Sequence, residues 1–321
     1  MKKSYRVLVG LTLSLLLLNA GPSVIAKGSD AVSDNPGTIE IKFPSNYDRV
    51  AAVSDIHGMY PSLVTLLRAG GIMDKNNKWS AGKTLLVVTG DSIDKGGDIV
   101  DTVDLWISLS DQAGPDGGKV IHLLGNHEAE FLAGPKKSEK AEGFRRELDA
   151  KGIPLKEYTH SGHSRADFLL SMPVAAKVGK WLFCHAGLMP DMSWKDLTHK
   201  AAKALQAGNY SAPILLGTDS ILAAKGWWET PEGRKDLKKR LSAADMYGVV
   251  FGHQPKALSV VGASAVTQDG RIVKIDNGMP PEAGLHPGSL LVFPNPSEME
   301  AGPAQMLTVS PDGAITPLLP K

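Results

Sequence analysis

Short apolar runs, each closed by small and polar residues, recur along this chain. RVAAVSDIHG is apolar from Val50 to Val53 and stops at Asp55. KTLLVVTGDSIDKGG is apolar from Thr84 to Val88 and stops at Gly90-Asp91. KVIHLLGNHE, KWLFCHAGLMP and MYGVVFGHQP repeat the pattern. Runs of this length bounded by turn residues predict buried strands. Between them lie stretches of helical period. PSLVTLLRAGGI has Pro61 at its start and Gly70-Gly71 at its end, and DIVDTVDLWISLSDQA and KDLTHKAAKALQAG have the same spacing. Strand, helix, strand, helix, strand predicts an α/β fold.

The rest of the chain changes style. Ile39 to Ile41 has a short strand pattern, and KGSDAVSDNPGT before it predicts a flexible lead-in over 27–38. Residues 134–172 are more charged, with KKSEKAEGFRRELDAKG read as helix and surface, and residues 191–245 are read as mostly helical. After the fifth strand the pattern turns to hairpins. SAVTQDGRIVKIDNG turns at Asp269-Gly270, and SLLVFPNP with AQMLTVSPDGAITPL forms another pair. The expected organisation is one domain over 39–321 with a helical rim around 134–225.

The first 26 residues read as a targeting segment instead. MKKSYR is basic, VLVGLTLSLLLL is an apolar run too short to span a bilayer comfortably, and NAGPSVIA offers a cleavage site after Ala26. An uncleaved membrane anchor is the alternative. Export to the periplasm, or outside the cell, is the expectation, with no stable membrane anchor after cleavage. Removing Lys2, Lys3 and Arg6 leaves 32 basic residues against 34 acidic ones. Such a near-neutral chain makes no electrostatic case for a nucleic acid polymer or an anionic membrane as partner. Cys184 is the single cysteine, so no internal disulfide is available. Hydrophobic residues make up 42% and charged residues 21%, which is ample for a packed core. Oligomeric state is not legible.

The polar strand ends change the picture most. They carry Asp55 and His57, Asp91, Asn126 and His127, His185, and His253. In open α/β sheets, ligand sites gather beyond the carboxyl ends of strands, so residues about two hundred positions apart can converge. Carboxylate, imidazole and amide oxygen suit manganese, iron or zinc. Taken singly, an Asp at a strand end is more often a helix cap, and His122 within VIHLLG is more often a satisfied core residue. His160 and His163 read as loop histidines.

The ordered set D-x-H-G, G-D-x-x-D, G-N-H-E, H-A-G and G-H-Q resembles the calcineurin-like metallophosphoesterases. It is most similar to their phosphoprotein phosphatase branch, including the bacterial Shewanella-like phosphatases and the related symmetrical diadenosine tetraphosphatases. The resemblance covers roughly residues 48–280. It implies two packed mixed β-sheets flanked by helices, a four-layer α-β-β-α sandwich. It implies two divalent metal ions, with manganese the first choice in vitro. Asp55 and His57 would bind the first, Asp91 would bridge, and Asn126, His185 and His253 would bind the second. Metal-activated hydroxide would attack phosphorus in line. His127 would be the general acid, held by Asp94, with Glu128 as a structural acceptor.

Two departures stand out. Asp94-Lys95-Gly96 replaces the usual D-R-G, so Lys95 would meet phosphate as a point charge without Arg's fork. The resemblance implies a second phosphate-binding Arg between the last two histidines, the interval that holds KGWWETPEGRKDL. Arg234 is the candidate, with Arg145 and Arg146 as rivals. Trp227-Trp228 read as core, with substrate contact as the alternative. The implied activity is hydrolysis of phosphomonoesters on a phosphorylated protein, peptide or small molecule. The alternatives are a nucleotide or dinucleoside polyphosphate hydrolase and a non-catalytic metal-binding module.

Overall fold

The computed structural model describes residues 35–138 and 141–320. In chain order its strands and helices are β1 (Thr38–Ile41), β2 (Arg49–Val53), α1 (Tyr60–Ala69), β3 (Thr84–Val88), α2 (Ile99–Ala113), β4 (Lys119–His122) and α3 (Asn126–Ala133). Then come α4 (Glu142–Ala150), α5 (Lys156–Thr159), α6 (Ser164–Leu170), β5 (Ala175–Val178), β6 (Trp181–Cys184), α7 (Trp194–Gln206), α8 (Pro213–Leu216) and α9 (Pro231–Ala243). The chain closes with β7 (Gly248–Phe251), β8 (Ala265–Val266), β9 (Ile272–Lys274), β10 (Leu290–Phe293), α10 (Glu298–Ala301), β11 (Leu307–Val309) and β12 (Ile315–Pro317).

Two mixed sheets result, ordered β1-β5-β6-β7-β9-β8 and β12-β11-β10-β2-β3-β4. The parallel pairs β2–β3 and β3–β4 in one sheet, and β6–β7 in the other, carry the polar tips. Side chains alternate between faces along a strand, and here both faces are buried. Val50, Ala52, Leu85 and Val87 turn toward the other sheet and join Trp181, Phe183 and Val250 of that sheet in one core. Ala51, Val53, Leu86 and Val88 turn the other way, onto the helical layer of Leu63, Leu66 and Trp106. On the outer face of the sheet that holds β6 and β7, Leu182, Cys184, Val249 and Phe251 pack under Leu197, Ala201, Leu237 and Leu241. The layers are therefore helix, sheet, sheet, helix, as expected. Trp181 and Phe293, ring centroids 5.3 Å apart, lock the sheet–sheet seam. Truncating such a buried aromatic costs about 3–5 kcal/mol.

Some expectations need correction. The flexible lead-in does not extend to residue 38. Asn35 is buried and its amide donates to the carbonyls of Leu170 and Met172, while Thr38 already pairs in β1. Within 134–225, β6 is the strand read at KWLFCHAGLMP, while β5 is a further sheet strand that the sequence reading did not give. The Asp269-Gly270 hairpin forms as expected. β10 and β11 pair antiparallel, and β12 adds a further strand to them. The targeting segment lies outside the described residues.

Candidate active site

The five polar tips meet at one edge shared by both sheets. The backbone there is bent hard. Among the described residues, eleven non-glycine positions have positive φ, and six of them are Asp55, His57, Asp91, Asp94, Lys95 and His253. A side chain in that region costs on the order of 1 kcal/mol or more, so surrounding bonds must hold it there. They do. Asp55 N–H donates to Gly90 O at 3.1 Å, His57 N–H to Asp91 O at 2.9 Å and Gly58 N–H to Ser92 O at 2.8 Å. The loops after β2 and β3 are thereby zipped together. Two glycines permit the crowding. A Cβ on Gly125 would collide with Asp91, and one on Gly252 would collide with Ser54 and Asp55.

Asp91 is the centre. Its Oδ2 lies 3.5 Å from His57 Nε2, 3.3 Å from His185 Nε2 and 3.8 Å from His127 Nε2. Burial alone would raise its pKa, but the imidazoles outweigh burial and hold it well below the usual carboxylate range. Two clusters share it, each with its ligand atoms within 4.8 Å of one another: His57, Asp91 and His127, and Asp91, His185 and His253. Asp55 Oδ1 stands 3.8 Å from His57 Nε2, and Asn126 Oδ1 stands 3.0 Å from His185 Nε2. All six predicted ligand positions therefore converge.

The ring nitrogens are set for coordination. His57 Nδ1–H donates to Ile93 O at 3.0 Å and His185 Nδ1–H to Thr89 O at 2.9 Å, which leaves each Nε2 facing Asp91. Burial drives the His57 pKa well down, and burial with repulsion from His185 takes His253 to about 3. Both are thus neutral, the form that ligates metal. Burial opposes charge on His185 too, but attraction to Asp91 carries its pKa up to about 9. His253 Nε2 is buried with no hydrogen-bond partner. A buried imidazole nitrogen without a partner, on a residue that clusters with the carboxylate two ligand groups share, fits divalent metal ions.

His127 and Glu128 begin α3. His127 N–H donates to Asp91 Oδ1 at 3.0 Å, and its Nδ1 meets Asp94 Oδ2 at 2.9 Å. Burial works against the His127 charge, but Asp91 and the Asp94 hydrogen bond prevail and raise its pKa. Glu128 is fully buried. Its carboxylate accepts four backbone N–H groups, from Asp91, Ser92, Ile93 and Gly125. That is a structural role, as read from the sequence.

Above these groups lies a cavity of about 530 Å³ lined by Asp91, Asp94, Lys95, Asn126, His127, Glu142, Gly143, Arg146, Lys225, His253 and Glu282. Lys95 is in place, with Nζ 3.0 Å from His57 Nε2. Arg234 is not, which corrects the sequence reading. It sits on α9, where its guanidinium donates to the carbonyls of Trp228 and Glu229, and it faces a separate cavity. Its helical position ties it to the turn that starts α9. Arg145 also holds a loop, donating to Pro135 and Ser138 carbonyls. Besides Lys95, the cations that line the cavity are Arg146 and Lys225. Lys225 was missed, since a lysine in an irregular loop carries no periodic signal. Trp227 donates its indole N–H to Ala186 O and packs on Phe251, so it braces the His185 strand from behind.

Comparison with known proteins gives a consistent result. A family model described as calcineurin-like phosphoesterase matches residues 48–257. An uncharacterised protein of Schizosaccharomyces pombe is 29% identical over 273 residues, 76% of each chain. Shewanella-like protein phosphatase 1 of Plasmodium berghei is 29% identical over 255 residues, 72% of this chain and 67% of that one. Among solved structures, the cold-active protein-tyrosine phosphatase of a psychrophilic Shewanella species superposes with a TM-score of 0.70 at 19% identity. That superposition covers 91% of this chain and 86% of the other, and at this identity it speaks for the fold.

Proposed function

The chain belongs to the calcineurin-like phosphoesterase family and is a metallophosphatase, and on that premise we propose that it is an exported enzyme that hydrolyses phosphomonoesters on phosphoproteins or phosphopeptides. The observation that carries this reading is Asp91, shared by two ligand clusters with His127 held against it. In the proposal, Asp55, His57 and Asp91 hold one divalent ion, and Asp91, Asn126, His185 and His253 hold the other, with manganese favoured. When bound, the pair supplies a nucleophile at neutral pH and positive charge for the phosphoryl oxygens.

The chain's own residues do the rest. Lys95, Lys225 and Arg146 bring three positive charges to the cavity, which suits a dianionic phosphoryl group. His127 Nε2 delivers a proton to the departing oxygen. Asp94 fixes the ring and, with Asp91, favours its protonated form. Glu142 and Glu282 at the rim disfavour further negative charge on the substrate. Trp227 faces the core, so the aromatic pair does not offer that cavity a nucleobase platform, which favours a phosphomonoester over a nucleotide.

The test uses the chain from Lys27 onward. Metal content and manganese-dependent hydrolysis of p-nitrophenyl phosphate are measured beside His127→Asn and Asp91→Asn. Two metals per chain, and turnover that both variants lose, are expected. A fully loaded wild type that hydrolyses neither this ester nor a phosphopeptide would overturn the proposal.

A further inference from the structure

Lys274 lies on β9, fully buried, and its ammonium is enclosed by carbonyl oxygens. It donates to Pro255 O at 3.1 Å, Val260 O at 2.9 Å, Ala263 O at 2.6 Å and Asp276 O at 2.9 Å. A buried charge is costly unless hydrogen bonds compensate it, and four carbonyl dipoles directed at one nitrogen do so.

Three of those carbonyls belong to one loop, residues 252–264 between β7 and β8. That loop begins with Gly252 and His253. It passes through Leu258 and Ser259, consecutive non-glycine residues both at φ 57°. A path with two left-handed side chains does not persist unaided. The Lys274 ammonium is the group on which its carbonyls at 255, 260 and 263 converge. At its near end the loop is tied to Asp55, whose Oδ2 accepts the His253 N–H at 2.9 Å. The His253 ring therefore has its backbone fixed from two sides, by Asp55 ahead and by the Lys274 cage behind.

We propose that Lys274 is a positioning residue for the metal centre: its ammonium organises the loop on backbone carbonyls and so holds His253 ready to ligate before any metal arrives. This rests on the two-metal reading of the site. It predicts that losing the ammonium weakens the ion held by His253 and spares the one held by Asp55 and His57.

The test titrates Mn²⁺ into wild type, Lys274→Met and Lys274→Ala, by calorimetry and electron paramagnetic resonance. Both variants bind the first Mn²⁺ with wild-type affinity. The second binds about 10–100-fold more weakly, the range seen when support behind a ligand is removed. The spin-coupled signal gives way to that of isolated Mn²⁺. In Lys274→Ala, n-propylammonium restores the second site, and tetramethylammonium, which has no N–H, does not. Unchanged second-site affinity in both variants overturns the proposal, as does a loss that n-propylammonium cannot repair. If neither variant folds by circular dichroism, hydrogen exchange of metal-free wild type decides. Protection of the amides at 258–263 without metal supports the cage, and exchange as fast as in an open loop overturns it. A wild type that holds fewer than two Mn²⁺ sinks the two-metal reading, whereas two in wild type and two in the variants sinks only the role of Lys274.

Discussion

The carboxylate of Glu128 accepts the backbone N–H of Asp91 at 2.9 Å, so the start of one helix fixes the loop that carries the shared ligand. Three further amides converge on the same carboxylate. Glu128→Gln puts an NH₂ where only acceptors are wanted. A buried N–H left facing another donor costs about 1–3 kcal/mol, and more where a charged acceptor was lost. Urea unfolding of the metal-free protein is expected to show a loss of about 3 kcal/mol. A variant of wild-type stability would contradict the role assigned to Glu128.

Asp94 and His127 make a pH prediction. Asp91 and the Asp94 hydrogen bond raise the His127 pKa above its ordinary value, so the general acid keeps its proton to higher pH than a free imidazole and loses it as pH rises past that raised value. Asp94→Asn keeps the shape and removes the charge. The alkaline limb of kcat/KM for p-nitrophenyl phosphate then moves to lower pH. An unmoved limb would mean that His127 is not the group titrating there.

Lys225 faces the cavity and acts on His253 through its charge. Lys225→Ala is expected to raise KM for p-nitrophenyl phosphate about tenfold, about 1.4 kcal/mol of lost binding, with kcat changed less. Arg234→Ala serves as the contrast and leaves KM unchanged. Equal effects from the two would return Arg234 to the site.

His122 gives the stability of the fold a pH dependence of its own. Burial lowers its pKa to about 3, below the ordinary value of 6.5. Its Nε2 meets Ser92 Oγ at 2.9 Å and its Nδ1 has no partner. The unfolded chain binds this proton below pH 6.5 and the folded one does not until about pH 3, so stability falls as pH drops through that window. The slope from this one group is at most about 1.4 kcal/mol per pH unit. His122→Gln should flatten the curve between pH 6 and 4 relative to wild type. Parallel curves would place the acid sensitivity elsewhere.

Much of this was legible before any coordinates. Strands buried on both faces must be apolar runs, and ligands at their tips must interrupt those runs, so Asp55, Asp91, Asn126, His185 and His253 stood out together. What escaped had weaker local signatures. β5 is an Ala-Ala-Lys-Val stretch with little to distinguish it, recruited by pairing with β1 and β6. Lys225 sits in an irregular loop, and its neighbours in the cavity come from distant parts of the chain. Arg234 was misplaced because the interval was right while its helix pointed elsewhere. The Lys274 cage depends on carbonyl directions that no side-chain pattern encodes.

The tips that meet around Asp91 come from both sheets, three from β2, β3 and β4 and two from β6 and β7. An ion coordinated there is gripped by both leaves of the sandwich at one margin, so occupancy is a fastening as well as a reagent. Metal starvation would then do more than silence the enzyme. It would loosen the margin where the loops are most contorted, and hand the starved molecules to proteases ahead of the loaded ones.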